Sequence, residues 1–291
     1  MASTQIPTAN YITISNGVRV FYREAGSRAN PTFLLLHGFP TSSNQFRHLI
    51  TLLSGKYHIL APDLPGFGFT TTPLGFKHSF DIIAETISLF LDALNIQKFA
   101  VYIFDYGAPT GLRLGLRRPH DVLAIVSQNG NAYTDGLGDF WKTIEPLWQV
   151  YPAKEILDEA ASNLLSLAGT KWQYETGVPD VNALDPAAYT LDQALLERPG
   201  QKDIQLGLFM DYKNNLALYP EFQEWFRETN VPVLAIWGKN DLIFIPPGAE
   251  AFKRDSKNAE VKFVDSGHFA LETHVEEIAR EILDFFSKYS I

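Results

Sequence analysis

Three side chains in this sequence form a set able to do covalent chemistry: Asp105, Asp241 and His268. Each comes just after an apolar run that reads as a core strand, at residues 99–104, 231–237 and 260–264. An aspartate has a reference pKa of about 3.9, so at neutral pH it is already a nucleophile and needs no base to activate it. Attack on an acyl carbon would give only an anhydride. The sensible target is therefore a saturated carbon bearing a leaving group, displaced in line to leave an ester on the enzyme. Hydrolysis of that ester needs a base, a carboxylate to orient the base, and an oxyanion hole. His268 suits the first role and Asp241 the second.

Asp105 must be held rigidly. The run 99–104 is too apolar for a half-exposed strand and predicts a central one covered on both faces. Gly107 lets the chain turn sharply, Pro109 suits the first turn of a helix, and Gly111 and Gly115 give that helix a smooth stripe expected to lie against the sheet. This is the pattern of a nucleophile elbow, with aspartate where serine is usual.

Other polar residues compete for roles. Asp135 is a weaker candidate for the orienting acid, and Asn129, after the strand at 122–127, lacks the charge that role needs. His37 reads as a satisfied core histidine and Asp63 as a loop former. Gly66-x-Gly68 lacks the third glycine of a dinucleotide fingerprint, and no His/Glu or His/Cys spacing matches a metal site, so no cofactor is expected. There is no Gly-x-Ser-x-Gly, which argues against serine-based acyl transfer. A binding protein that has lost catalysis would not need all three of Asp105, Asp241 and His268.

The remaining elements follow from periodicity. Residues 11–15 and 18–24 flank Asn16-Gly17, a strong hairpin signal. Apolar runs at 32–36, 58–61, 99–104, 122–127, 231–237 and 260–264 alternate with helical patterns, which implies a mostly parallel sheet. Helices are expected at 44–53, at 79–94 with Ser79 as cap, after the elbow, at 249–254, and at the C-terminus with Val275, Ile278, Ile282 and Phe286 facing inward. From about residue 131 to 230 no buried strand is evident. That stretch holds only helical segments broken by Pro152, Gly169, Gly177, Pro179, Pro186 and Pro199. The expected organisation is one α/β core built from residues 1–131 and 231–291, interrupted by a helical cap at 132–230.

With 46% hydrophobic residues in 291, the chain can bury a large core. A net charge of -9 and no Lys/Arg-rich run argue against a nucleic-acid partner. The absence of cysteine fits a reducing compartment. The first ten residues have neither a basic region nor an apolar core, and no run approaches the roughly 18 apolar residues of a membrane span. A cytoplasmic enzyme with no membrane association is expected.

The segments His37-Gly38-Phe39-Pro40, Asp63-x-Pro65-Gly66-x-Gly68, Asp105-Tyr106-Gly107, Trp237-Gly238-x-x-Asp241 and Gly267-His268-Phe269 resemble the α/β-hydrolase superfamily. Within it they look like the epoxide hydrolase and haloalkane dehalogenase branch, which uses an aspartate nucleophile. The resemblance spans nearly the whole chain. It implies an α/β-hydrolase fold: a mostly parallel eight-stranded sheet flanked by helices, an inserted helical cap, and the pocket between sheet and cap. It also implies that the backbone N–H groups of Phe39 and Tyr106 form the oxyanion hole, that His268 activates water, and that Asp241 holds the imidazole.

For the leaving group, the resemblance implies Tyr212, in Asp211-Tyr212-Lys213, as a cap contact, with Trp148 or Tyr151 as a second aromatic. Haloalkane dehalogenases usually follow the nucleophile with tryptophan and often place asparagine or glutamate after the His-Gly pair. This chain has Tyr106 and Phe39 there. The implied activity is epoxide opening to a diol, with haloalkane dehalogenation the alternative. The implied partner is a small apolar organic substrate, an epoxide or an alkyl halide.

Overall fold

Apolar alternation and the turn at Asn16-Gly17 start the chain as a hairpin, in which β1 (Thr8–Thr13) pairs antiparallel with β2 (Arg19–Ala25). The first strand ends two residues earlier than its pattern suggests, because Ile14 donates its N–H to the Val18 carbonyl to close the turn. This computed structural model describes residues 6–149 and 151–291, so the N-terminal residues 1–5, read above as lacking a leader, lie outside it.

The chain continues through β3 (Thr32–Leu36), a 3-10 turn at Ser43–Phe46, α1 (Arg47–Leu53), β4 (His58–Pro62) and α2 (Phe80–Ala93). The Ser79 side chain caps α2 by accepting from the Ile82 N–H. Next come β5 (Phe99–Phe104), α3 (Gly107–Arg117) and β6 (Val122–Gln128). Between β6 and the next strand the described residues form no strand, only an isolated bridge from Leu137 to Phe244, turns, and the helices α4 (Trp141–Ile144), α5 (Lys154–Leu164), α6 (Leu167–Glu175), α7 (Pro186–Leu196), α8 (Gln201–Asp211) and α9 (Lys213–Thr229). The sheet resumes with β7 (Val233–Gly238), then α10 (Pro247–Asp255), β8 (Ala259–Val264) and α11 (Ala270–Lys288). β7 starts after Pro232, which has no N–H to donate to a ladder.

The eight strands form one sheet in the order β1-β2-β4-β3-β5-β6-β7-β8, and only the two pairings made by β2 are antiparallel. Strand alternation sorts the core into two layers. Leu34, Leu36, Val101 and Ile103 face the α2–α3 side, whereas Phe33, Leu35, Tyr102 and Phe104 pack with α1 and α11 on the other. The expected glycine stripe on α3 divides between two neighbours. Gly111 lies against Ile103 of the sheet, but Gly115 admits the Trp225 ring of α9. The second glycine therefore serves the contact between α3 and α9. Among the described residues, no helix is long and apolar enough to cross a membrane.

Candidate active site

The parallel strands aim their carboxyl ends at one edge, where open α/β sheets collect functional loops. Asp105 stands there at the end of β5 with φ of 47°, in the left-handed region that aspartate tolerates and most side chains avoid. The turn closes because its neighbours are small. A Cβ at Gly107 would strike the Leu36 carbonyl, and one at Gly38 would strike the Asp105 carboxylate itself. That clearance lets the Phe39 N–H donate to Asp105 Oδ1 at 2.6 Å, and the Tyr106 N–H bonds to the same carboxyl group.

His268 follows β8 and Asp241 follows β7. His268 Nδ1 is 2.7 Å from Asp241 Oδ2, and because an ionised carboxylate only accepts, that nitrogen carries the proton. Nε2 is then the basic nitrogen, and it lies 3.8 Å from Asp105 Oδ2 with no hydrogen-bond partner among the described residues. Two further donors hold Asp241. Ile243 N–H reaches Oδ1 at 2.7 Å, and Asn129 Nδ2 reaches Oδ2 at 2.7 Å. Gln128 donates to the His268 carbonyl at 2.9 Å, so the end of β6 braces both Asp241 and His268.

Asp105, Asp241 and His268 are all buried, and burial sets their electrostatics. Desolvation pushes the Asp105 carboxyl up to about 6, against the pull of His268 and of the Phe39 and Tyr106 N–H groups. For His268, desolvation acts downward, but Asp241 and Asp105 outweigh it and leave the imidazole above its ordinary value. Esterifying Asp105 removes one of those two charges. The imidazole then becomes a weaker base that is more readily free of its proton near neutral pH.

Above the carboxylate stands an aromatic wall. The Tyr106 ring contacts Phe80 at 4.8 Å and Tyr212 at 5.8 Å, and its buried hydroxyl has no partner among the described residues. Tyr212 sits between α8 and α9, a junction pinned to the sheet domain twice. Phe80 N–H donates to Asp211 at 2.8 Å, and Arg113 of α3 donates to Asn215 at 2.7 Å. The Tyr212 hydroxyl is in hydrogen-bond contact with Tyr219, whose oxygen accepts from Asn131 at 3.2 Å. Trp141 covers Tyr212, with ring centroids 4.1 Å apart.

The structure thus brings Asp105, Asp241, His268, Phe39, Tyr106 and Tyr212 together. It does not bring in Tyr151, which is 91% exposed just before α5. Trp148 is partly buried, but its indole N–H donates to the Phe209 carbonyl at 3.0 Å and is unavailable to a leaving group. The inward tryptophan is Trp141, seven residues earlier, and its N–H is also taken, by the Ile243 carbonyl at 3.0 Å. Sequence reasoning missed Trp141 because the four helical residues of α4 are too few to show a face. It also set Asn129 aside as unable to replace an anion. Its position at a strand's carboxyl end was the available signal, and it acts by donating to the anion. Asp135 pairs with Arg254 at the surface, His37 accepts from Leu64 N–H at 2.9 Å, and Asp63 accepts from Ser43 and Phe69.

A cavity of about 790 Å³ opens between α4, α5 and α6, bordered by Phe140, Leu147, Ala160 and Trp172. It lies within the inserted helices and not around Asp105. Trp141 connects the two regions, since its ring is 5.9 Å from Phe140 and 4.1 Å from Tyr212.

Residues 31–275 match the family model described as alpha/beta hydrolase fold. The chain is 54% identical to an uncharacterized hydrolase of Saccharomyces cerevisiae, over 95% of this chain and 96% of that protein. It is 26% identical to haloalkane dehalogenase 2 of Mycobacterium tuberculosis, over 92% of this chain and 91% of that one. Among solved structures, a mutant of the haloalkane dehalogenase DatA from Agrobacterium tumefaciens superposes with a TM-score of 0.81 at 21% identity. That match covers 97% of this chain and 98% of the other, and it is a likeness of fold.

Proposed function

Because this chain belongs to the α/β-hydrolase family, we propose that it is a hydrolase working through a covalent ester on Asp105 and opening small apolar epoxides to diols. The observation that carries this reading is the division of labour on one carboxylate. Oδ1 accepts the Phe39 N–H, while Oδ2 faces the unpartnered Nε2 of His268. Oδ2 attacks the saturated carbon, the C–O bond of the epoxide breaks, and the electron pair leaves on an alkoxide that takes a proton from a tyrosine hydroxyl. His268 Nε2 then removes a proton from water, which adds to the ester carbon. The charge developing on Oδ1 meets the Phe39 and Tyr106 N–H groups, each such donor being worth about 2.7–4 kcal/mol in comparable sites. Collapse expels the diol oxygen, which is protonated by the imidazolium, and the carboxylic acid left on Asp105 returns its proton to the phenolate.

The choice of epoxide rests on the donors. Both nearby indole N–H groups bond to backbone carbonyls, whereas two phenols, Tyr106 and Tyr212, lie beside the nucleophile. An alkoxide is a strong base and needs a proton, which a phenol supplies and a backbone amide does not. Haloalkane dehalogenation is the second reading, favoured by the 26% identity to the mycobacterial dehalogenase. A paired panel of aryl and alkyl epoxides and matched bromoalkanes, assayed for diol and for halide, tests the choice. Diol without halide supports the first reading and halide without diol the second. On either reading the cytoplasm is the compartment proposed, since the cysteine-free sequence suits it.

A further inference from the structure

Away from the reacting residues lies another buried carboxyl group, Asp192 on α7, which is 1% exposed. A carboxyl at that depth is costly unless its oxygens are satisfied or it is neutral. Oδ2 accepts from the Tyr174 hydroxyl of α6 at 2.5 Å, and the Thr41 hydroxyl is in hydrogen-bond contact with both side chains. Oδ1 has no partner among the described residues. Arg47 of α1 and Glu272 of α11 are the charged groups that face it, and they are committed to each other in a bidentate pair at 2.9 and 2.7 Å.

Both partners of Asp192 lead directly to the site. Thr41 is two residues from Phe39, whose N–H holds Asp105 Oδ1. Tyr174 stacks face to face on Phe269, with centroids 3.9 Å apart and planes within 10°, and Phe269 adjoins His268. The same α6 end reaches the third loop, where Asn240 Nδ2, next to Asp241, donates to the Gly177 carbonyl at 2.8 Å. Stability alone does not explain the arrangement. A buried carboxyl with one bare oxygen is a poorer filler than an apolar side chain of equal size.

We propose that Asp192 is a positioning residue, joining α6 and α7 to the Phe39 loop and the His268 loop through Thr41 and Tyr174. The proposal rests on the roles given above to Phe39 and His268. Burial pushes the Asp192 carboxyl up to about 7. The joint is therefore favoured in its neutral form, and it loosens as pH rises from the ordinary carboxylate value toward about 7, because the facing cation, Arg47, is already paired with Glu272.

The test compares wild type with Asp192→Ala and Asp192→Asn by hydrogen exchange, at about pH 5 and 8 and corrected for intrinsic rates. The segments followed are residues 37–43, residues 266–271 and, as control, α2. Asp192→Ala should speed exchange roughly tenfold in both loop segments and leave α2 unchanged. Asp192→Asn, which keeps an acceptor and cannot ionise, should restore protection and lose less of it at the higher pH than wild type does, the remainder being due to Asp105 and His268. Should the alanine variant fail to fold, the pH comparison of wild type with Asp192→Asn decides. Wild-type exchange in the alanine variant, or the same pH dependence in wild type and Asp192→Asn, would overturn the proposal. These readouts need no substrate, so a failure of Asp105 to form an ester would appear separately, as unlabelled protein.

Discussion

His268 Nε2 stands 3.8 Å from Oδ2 of Asp105, beyond hydrogen-bonding range, while the opposite ring nitrogen is fixed to Asp241 at 2.7 Å. A base so placed is spaced to act on a water beside the carboxyl carbon and not to deprotonate the nucleophile. Ester formation should then survive loss of the imidazole, and ester cleavage should not. His268→Gln is expected to accumulate a covalent adduct with a reactive epoxide, visible as a mass increase of the intact protein. Asp105→Asn should form none. An adduct that persists without Asp105, or maps elsewhere, would reject the assignment.

The buried Asp105 carboxyl, held at about 6, makes two pH predictions. Only the ionised form attacks, so the alkylation rate in single turnover should rise with pH through about 6 and level off above it. Stability runs the other way. A folded-state value raised above the unfolded one imposes no penalty at pH below the unfolded pKa, a growing one up to about 6, and the full penalty above. The full penalty is on the order of 3 kcal/mol. Asp105→Asn should therefore raise the Tm by a few degrees near pH 8 and much less near pH 4.5. Equal Tm shifts at both pH values would show that the charge is not what destabilises the site.

Asp241, rather than Asp135, should govern the histidine. Asp241 holds Nδ1 and is itself held by Asn129 and Ile243, whereas Asp135 is tied to Arg254 at the surface. Asp241→Asn should slow ester hydrolysis by about 10²-fold or more, since the imidazole loses its orienting anion, with a smaller effect on ester formation. Asp135→Asn should change neither step beyond twofold or so, as an exposed ion pair contributes little. Asn129→Ala should fall between them, because it removes one donor and leaves the anion. Pre-steady-state kinetics on the three variants would check the ranking.

How much of this was legible in the sequence depends on the range of the interactions involved. The eight strands and Asp105, Asp241 and His268 announce themselves locally, through apolar runs that end at polar residues. The parallel sheet then brings the three strand ends to one edge. The aromatic residues between β6 and β7 have no such signal. Tyr212 could be singled out only by resemblance, and Trp148, Tyr151 and Trp141 look alike as aromatics in a helical stretch. Which of them turns inward depends on how α4, α8 and the loop after Asp241 pack, where Trp141 meets Ile243 and Phe244 and Trp148 meets Phe209, and those contacts are remote in sequence. Gly115 shows the same limit: its small size predicts a close neighbour, but not that the neighbour is Trp225 of α9 and not the sheet.

Loss of a phenol should separate epoxide opening from halide displacement. Tyr106 offers a buried hydroxyl with no partner among the described residues, and Tyr212 stands 5.8 Å from it ring to ring with its own hydroxyl linked to Tyr219 and, through Tyr219, to Asn131. Burial holds both phenols well above their ordinary pKa, so each stays protonated at working pH and keeps a proton to give. An alkoxide leaving group takes that proton, and a halide accepts only a weak hydrogen bond. Tyr212→Phe should slow alkylation by an epoxide by roughly the 10²- to 10⁴-fold expected of a general acid, and alkylation by a matched bromoalkane much less. Tyr106→Phe tests whether the second phenol shares the task. If it does, the double variant should be slower on epoxide than either single one, with bromoalkane alkylation little changed. Thermal unfolding must first show that each variant folds, since Trp141 and Phe80 rest on Tyr212. Equal losses on both substrate types would reduce Tyr212 to a packing residue, and a loss confined to the bromoalkane would make dehalogenation the better reading.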